Sequence, residues 1–96
     1  MNARFTSAAE RELQEAAEFY QIAEPGLGNR FLDEVEATVV RITTHPLAWT
    51  PMSPRTRRCR THHFPYGLFY QIRADEILVL SVMDLRRDPK RWERYL

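Results

Sequence analysis

The chain has 96 residues, 44% of them hydrophobic and 28% charged, with a formal net charge of +1, which is the composition of one folded domain over residues 1–96 and not of a disordered protein. No apolar run reaches the roughly 20 residues that span a bilayer, and Met1-Asn2-Ala3-Arg4-Phe5-Thr6 lacks an apolar signal core, so a cytoplasmic protein without a membrane partner is expected. One cysteine, Cys59, excludes an internal disulfide and a cysteine zinc cage, and three scattered histidines show no metal-ligand spacing, so no metal or cofactor is expected.

In chain order, Ala3–Thr6 reads as a short edge strand. Ser7 is expected to cap a first helix, with Glu10 reaching back to the cap N–H. Ala9, Leu13, Ala16, Tyr20 and Ala23 follow at helical spacing, and Glu12, Glu15 and Glu18 fall off that stripe, toward solvent. Glu24-Pro25-Gly26-Leu27-Gly28 stops the helix and reverses the chain. A second helix starts at Leu27 or Gly28 and presents Leu32, Val35, Val39 and Ile42, with Phe31 broadening the stripe. It ends near His45-Pro46, since proline disfavours helical geometry in the residue before it. The two helices form an antiparallel hairpin whose apolar stripes require a sheet.

Residues 47–56 read as a loop from which Trp49 folds back onto the core. Arg57–His63 reads as a strand with Arg58, Arg60 and His62 on one face and Arg57, Cys59, Thr61 and His63 on the other. Phe64-Pro65-Tyr66 turns into a strand over Gly67–Arg73, where Leu68, Tyr70 and Ile72 share a face. The polar patch Ala74-Asp75-Glu76 marks a hairpin, and Ile77–Met83, almost continuously apolar, is a central strand buried on both faces. The chain then turns basic at Leu85-Arg86-Arg87, so a hydrophobic hairpin delivers an arginine pair to one end of a sheet. Asp88 can cap a last turn in which Pro89 suits the first position and Trp92 packs back. Charge is uneven: residues 1–46 carry four arginines and eight acidic residues, and residues 47–96 ten basic and five acidic, a balance of −4 then +5. The basic half suits an anionic or acidic partner.

The P-G-L-G turn, R-F-L-D-E-V-E, the R-R pair five residues ahead of F-P-Y, Y-x-I and the final R-R-D-P-x-x-W together resemble the RelE/ParE superfamily, the toxins of type II toxin–antitoxin systems. The resemblance runs from about Phe5 to Trp92. It implies an α+β fold, a helical hairpin packed on a twisted antiparallel sheet, and a cognate antitoxin with which the chain forms a hetero-oligomer. Within the superfamily, RelE-like members cleave messenger RNA on the ribosome and ParE-like members poison DNA gyrase.

RNA cleavage requires a base for the 2′-hydroxyl, charge stabilisation at the phosphate and an acid for the leaving oxygen. Arginines suit the phosphate, and a RelE-like mechanism would draw on Arg58, Arg86 and, for proton transfer, His62. The ribonuclease branch has a tyrosine six residues after the arginine that Arg86 matches, where this chain has Trp92, whose indole N–H has no useful acidity. Relatives also carry V-x-H-x-R-R where this chain has V-M-D-L-R-R. Asp84 therefore stands in for that histidine, as a carboxylate that pairs with an adjacent arginine. These departures favour a ParE-like, non-enzymatic toxin acting on DNA gyrase, over a ribosome-dependent endoribonuclease or a toxin fold that only binds antitoxin. The surface expected to meet antitoxin or target comprises Arg57, Arg58, Arg60, Asp84, Arg86, Arg87 and Trp92. Cys59, among arginines that would lower its pKa, reads as a packing residue.

Overall fold

The apolar run 77–83 becomes an interior strand of the sheet. The structure, a computed structural model, describes residues 1–87, 89–91 and 93. Its elements are β1 (Asn2–Phe5), α1 (Ser7–Ala23), α2 (Leu27–Thr44), β2 (Thr50–Pro51), β3 (Thr56–Arg60), β4 (Tyr66–Arg73), β5 (Glu76–Asp84) and a 3-10 turn at Pro89–Arg91. The strand order is β1-β5-β4-β3-β2, with both helices packed on the sheet. β3, β4 and β5 form the expected antiparallel meander. β1 lies parallel to β5, from Asn2 opposite Glu76 to Phe5 opposite Val79, which makes the sheet mixed. A parallel neighbour needs a long crossover, and the helical hairpin provides it. Among the described residues no helix is long and apolar enough to cross a membrane.

Four local readings change. The cap of α1 is Thr6, not Ser7: Thr6 keeps the extended backbone of β1, and its Oγ1 accepts from Ala9 N–H at 3.1 Å and donates to Leu80 O at 3.2 Å. In α2 the buried positions are Phe31, Val35, Thr38 and Ile42, while Leu32 is 38% exposed. Thr38 tolerates the core because its hydroxyl donates to Glu34 O at 2.8 Å. Within the loop, Thr50 and Pro51 pair with Arg58 and Arg57 as β2. β3 stops at Arg60 because Thr61 turns the chain, its N–H donating to Tyr66 O and its hydroxyl to Phe64 O. His62 and His63 therefore lie in the turn, and His63 adopts a left-handed backbone with φ 65°.

The helix hairpin is held by a side chain that compensates for a missing cap. Gly26 opens α2 with φ 91° and no capping side chain, and Gln21 Oε1 of α1 accepts from the N–H groups of Gly26 (3.0 Å) and Gly28 (3.2 Å). Gly28 permits the close approach, for a Cβ there would lie 2.6 Å from Ala17 O. Trp49 packs against the core and donates from Nε1 to Arg41 O at 3.3 Å. Tyr70 is buried and donates to Pro46 O at 2.6 Å, and burial pushes its phenol up to about 12 against the opposing charge of Arg57.

β5 carries an irregularity. Phe69 pairs with Ser81 and Tyr70 with Val79, so Leu80 is an extra residue in the ladder. β1 ends at Phe5, opposite Val79, and α1 takes over along the edge of β5 beyond it. Glu12 supplies what a strand would: its carboxylate accepts from Ser81 Oγ (2.9 Å) and Val82 N–H (3.1 Å). Glu12 is thus tied to the sheet, contrary to the solvent-facing role read from its place off the apolar stripe.

Substituting Gly28→Ala is expected to force the helices apart and lower unfolding stability by roughly 1–3 kcal/mol, the usual cost of overpacking, as read by urea denaturation.

Candidate functional site

Where α1 passes over the end of β5, a groove of about 710 Å3 opens. Glu12, Glu15, Ala16, Phe19 and Tyr20 of α1 form one wall, Tyr66, Val82, Met83 and Asp84 the floor, and Arg86, Arg87 and Lys90 the other wall. Tyr66 pairs with Asp84 across β4 and β5, and Leu85 N–H donates to Pro65 O at 2.7 Å, so the chain leaves the sheet in a fixed direction.

Asp84 is a clamp on Arg86. Its Oδ1 accepts from Arg86 N–H at 2.9 Å and Nε at 3.1 Å, and its Oδ2 accepts from the guanidinium at 2.9 Å. These hydrogen bonds hold the Asp84 carboxyl below the usual carboxylate range, outweighing its burial. The Arg86 side chain is 69% exposed and that of Asp84 11%, so the pair fixes direction more than it adds stability. Arg87 is exposed, and no described residue bonds its guanidinium.

An aromatic cluster closes the inner end. The Tyr20 ring lies 4.9 Å from Phe64, 5.3 Å from Phe31, 5.4 Å from Phe19 and 6.1 Å from Tyr66, centre to centre. Burial pushes the Tyr66 phenol up to about 12, helped by Tyr20 and Asp84 and opposed by Arg87 and Arg86. The Tyr20 phenol is also raised by burial, against the charge of Arg86. Both stay protonated at neutral pH and are poor bases there.

The remaining arginines do not join this groove. Arg57 faces the helices, and its guanidinium donates to Leu47 O (3.1 Å) and Trp49 O (2.8 Å), so it pins the loop before β2. Arg58 and Arg60 lie on the opposite face of β3, and the Arg58 stem covers Gly67 beside Leu85. His62 is exposed in the turn after β3, where its N–H donates to Glu34 Oε1 at 2.6 Å. The face once shared by Arg58, Arg60 and His62 is lost because the strand ends before His62. Cys59 is buried, and its thiol is pushed up by burial, with Arg41 opposing; the lowering expected from neighbouring arginines does not occur. Asp88 and Trp92 lie outside the described residues. Among the described residues no group of histidine, cysteine and carboxylate side chains could hold a metal ion.

Sequence reading missed Glu12, Phe19, Tyr20 and Tyr66 as groove residues. Tyr20 reads as part of the first helix's apolar stripe and Tyr66 as part of a turn, and Glu12 finds its partners 69 and 70 residues along the chain. Only their convergence in three dimensions marks them.

The depressed Asp84 value gives a signed pH dependence. Free aspartate titrates near ~3.9, so the clamp contributes fully above that pH and is lost as pH falls through the lower folded value. Asp84→Asn should remove this component of the acid limb in pH-dependent chemical denaturation.

Residues 3–89 match the family described as the ParE toxin of the type II toxin–antitoxin system parDE. No curated protein gives a match. Among solved structures, a chain of the chromosomal ParDE system of P. aeruginosa superposes with a TM-score of 0.77 at 15% identity, covering 88% of this chain and 96% of that one. The isolated E. coli RelE toxin superposes with a TM-score of 0.65 at 18% identity, covering 99% and 98%. At these identities the structural likeness concerns the fold.

Proposed function

The chain belongs to the ParE toxin family of type II toxin–antitoxin systems, and from that premise we propose that it binds DNA gyrase and is neutralised by a cognate antitoxin. The family match over residues 3–89 carries this reading. The groove supports it chemically. Burial raises the pKa of its phenols, its clamped carboxylate is engaged by Arg86, and His62 lies elsewhere, in the turn after β3. Such a groove suits binding in place of proton transfer.

Roles within the site follow from the geometry. Asp84 orients Arg86, and Arg87 presents its guanidinium outward to target or antitoxin. Arg58 and Arg60 offer a separate basic surface on the other face of the sheet, whereas Arg57 acts inside the fold. An antitoxin that covers the Arg86–Arg87 edge would silence the toxin by occlusion.

In a purified supercoiling assay the protein is expected to inhibit gyrase and trap cleaved DNA. Arg86→Ala/Arg87→Ala should abolish most growth arrest and gyrase inhibition while leaving the circular dichroism spectrum unchanged. Full toxicity in the folded double variant would refute the proposal. Codon-specific messenger RNA cleavage without gyrase inhibition would reassign the chain to ribosome-dependent endoribonuclease activity.

A further inference from the structure

The second half of α1 departs from two rules that surface helices keep. From Leu13 to Glu24 the chain carries three carboxylates, Glu15, Glu18 and Glu24, and no basic residue. All three are exposed, and among the described residues no cation pairs with any of them. A helix C-terminus is the negative end of the helix dipole and favours cations, yet the last turn of α1 has no basic residue and Glu24 occupies the C-cap. Beside these charges two apolar side chains stand in water one turn apart. Phe19 is 64% exposed, and Ile22, at 86%, is the most exposed large apolar side chain among the described residues. The Phe19 ring stands edge-on to Tyr20 at 5.4 Å, and Tyr20 packs against the core, so the ridge is braced from below. Neither feature serves the fold, since the carboxylates oppose the dipole and the apolar pair is left uncovered. Local rules broken together on one surface mark a place kept for binding.

Charge selects the occupant. A nucleic-acid strand or an anionic bilayer would meet three carboxylates and the negative end of a helix. A second copy laid ridge to ridge would set carboxylate against carboxylate. A protein surface with an apolar depression rimmed by basic side chains is complementary on both counts. An enzyme that holds DNA has to present cationic surface to the phosphates. We propose that this ridge is the toxin's contact with the protein of its target, with Phe19 and Ile22 seated in an apolar depression and Glu15, Glu18 and Glu24 facing basic side chains. The inference rests on the gyrase reading above. It adds which surface of the toxin recognises the target, and it makes the enzyme's protein, in place of its DNA, what that surface touches.

The test measures binding of the full chain to gyrase holoenzyme without DNA, by biolayer interferometry, together with growth arrest on induction of the same variants. Phe19→Ala/Ile22→Ala is expected to weaken binding by about tenfold or more, whereas Val40→Ala, an apolar truncation at an exposed position of α2, should leave it unchanged. Glu18→Lys/Glu24→Lys should weaken binding by a similar factor at low salt, and less at about 0.5 M salt, where exposed charges are screened. The same pair should raise the thermal midpoint by about 1–5 °C, because cations then meet the helix C-terminus. Binding lost while stability is gained is a result that a merely structural role would not give. Unchanged binding and growth arrest in both folded double variants, an equal loss in Val40→Ala, or binding that requires DNA would overturn the proposal. If the unmodified chain arrests growth without binding gyrase, the gyrase reading falls and arrest alone decides the ridge: arrest lost in both folded double variants upholds it, and arrest kept overturns it. If parent and variants bind and inhibit gyrase equally, the ridge falls and the gyrase reading stands. An unmodified chain that neither binds gyrase nor arrests growth overturns both.

Discussion

The carboxylate of Glu12 on the edge of β5 is the interaction on which the site depends. Extending a strand past its neighbour leaves backbone donors without a ladder, and an unmet buried N–H costs about 1–3 kcal/mol. Here β1 stops opposite Val79, Leu80 bulges, and Glu12 receives the N–H of Val82 together with the hydroxyl of Ser81. From the other end, Thr6 both caps α1 and donates to Leu80 O. The first helix is thereby stitched to the irregular stretch of β5. Its angle over β5 sets the width of the groove, and the strand beyond the stitch delivers Asp84 and the arginines to the groove's rim.

From that arrangement the two adjacent arginines acquire different work. Arg86 is held from three directions by Asp84, with its charge largely answered. Arg87, next in the chain, is exposed. A histidine in place of Asp84 could not clamp a guanidinium in this way, since carboxylate geometry matches the arginine fork. The substitution that weakened the chemical argument for RNA cleavage thus acquires a positive role in the folded protein, as an orienting anion. Beside those charges, burial raises the pKa of the Tyr20 and Tyr66 phenols above the ordinary value.

Much of the fold was legible because periodicity reports burial. The helical stripes and the continuous apolar run of β5 announce buried faces, and Gly26 and Gly28 announce the reversal between the helices, whereas β4 alternates in sequence but is buried on both faces from Tyr66 to Tyr70. Elements whose existence depends on distant partners were not. β1 is four residues long, and nothing local marks it as parallel to β5. β2 is two residues containing a proline, and only its pairing with β3 makes it a strand. Alternation alone extends β3 through Thr61, whereas the Thr61 hydroxyl donates to Phe64 O, turns the chain and moves His62 off the arginine face. The arginine pair at the end of β5 and its clamp by Asp84 could be read locally, since those residues are neighbours in sequence. The acidic and aromatic wall could not, because it arrives from a helix some seventy residues earlier.

A double-mutant cycle between Glu12→Ala and Ser81→Ala, read by urea denaturation, tests the stitch most directly. A hydrogen bond from a hydroxyl to a partly buried carboxylate predicts a coupling of about 1–3 kcal/mol between the two substitutions, with Glu12→Ala the costlier single change because it also strands the Val82 N–H. Simple additivity, with Glu12→Ala costing no more than an exposed surface substitution, would contradict the account.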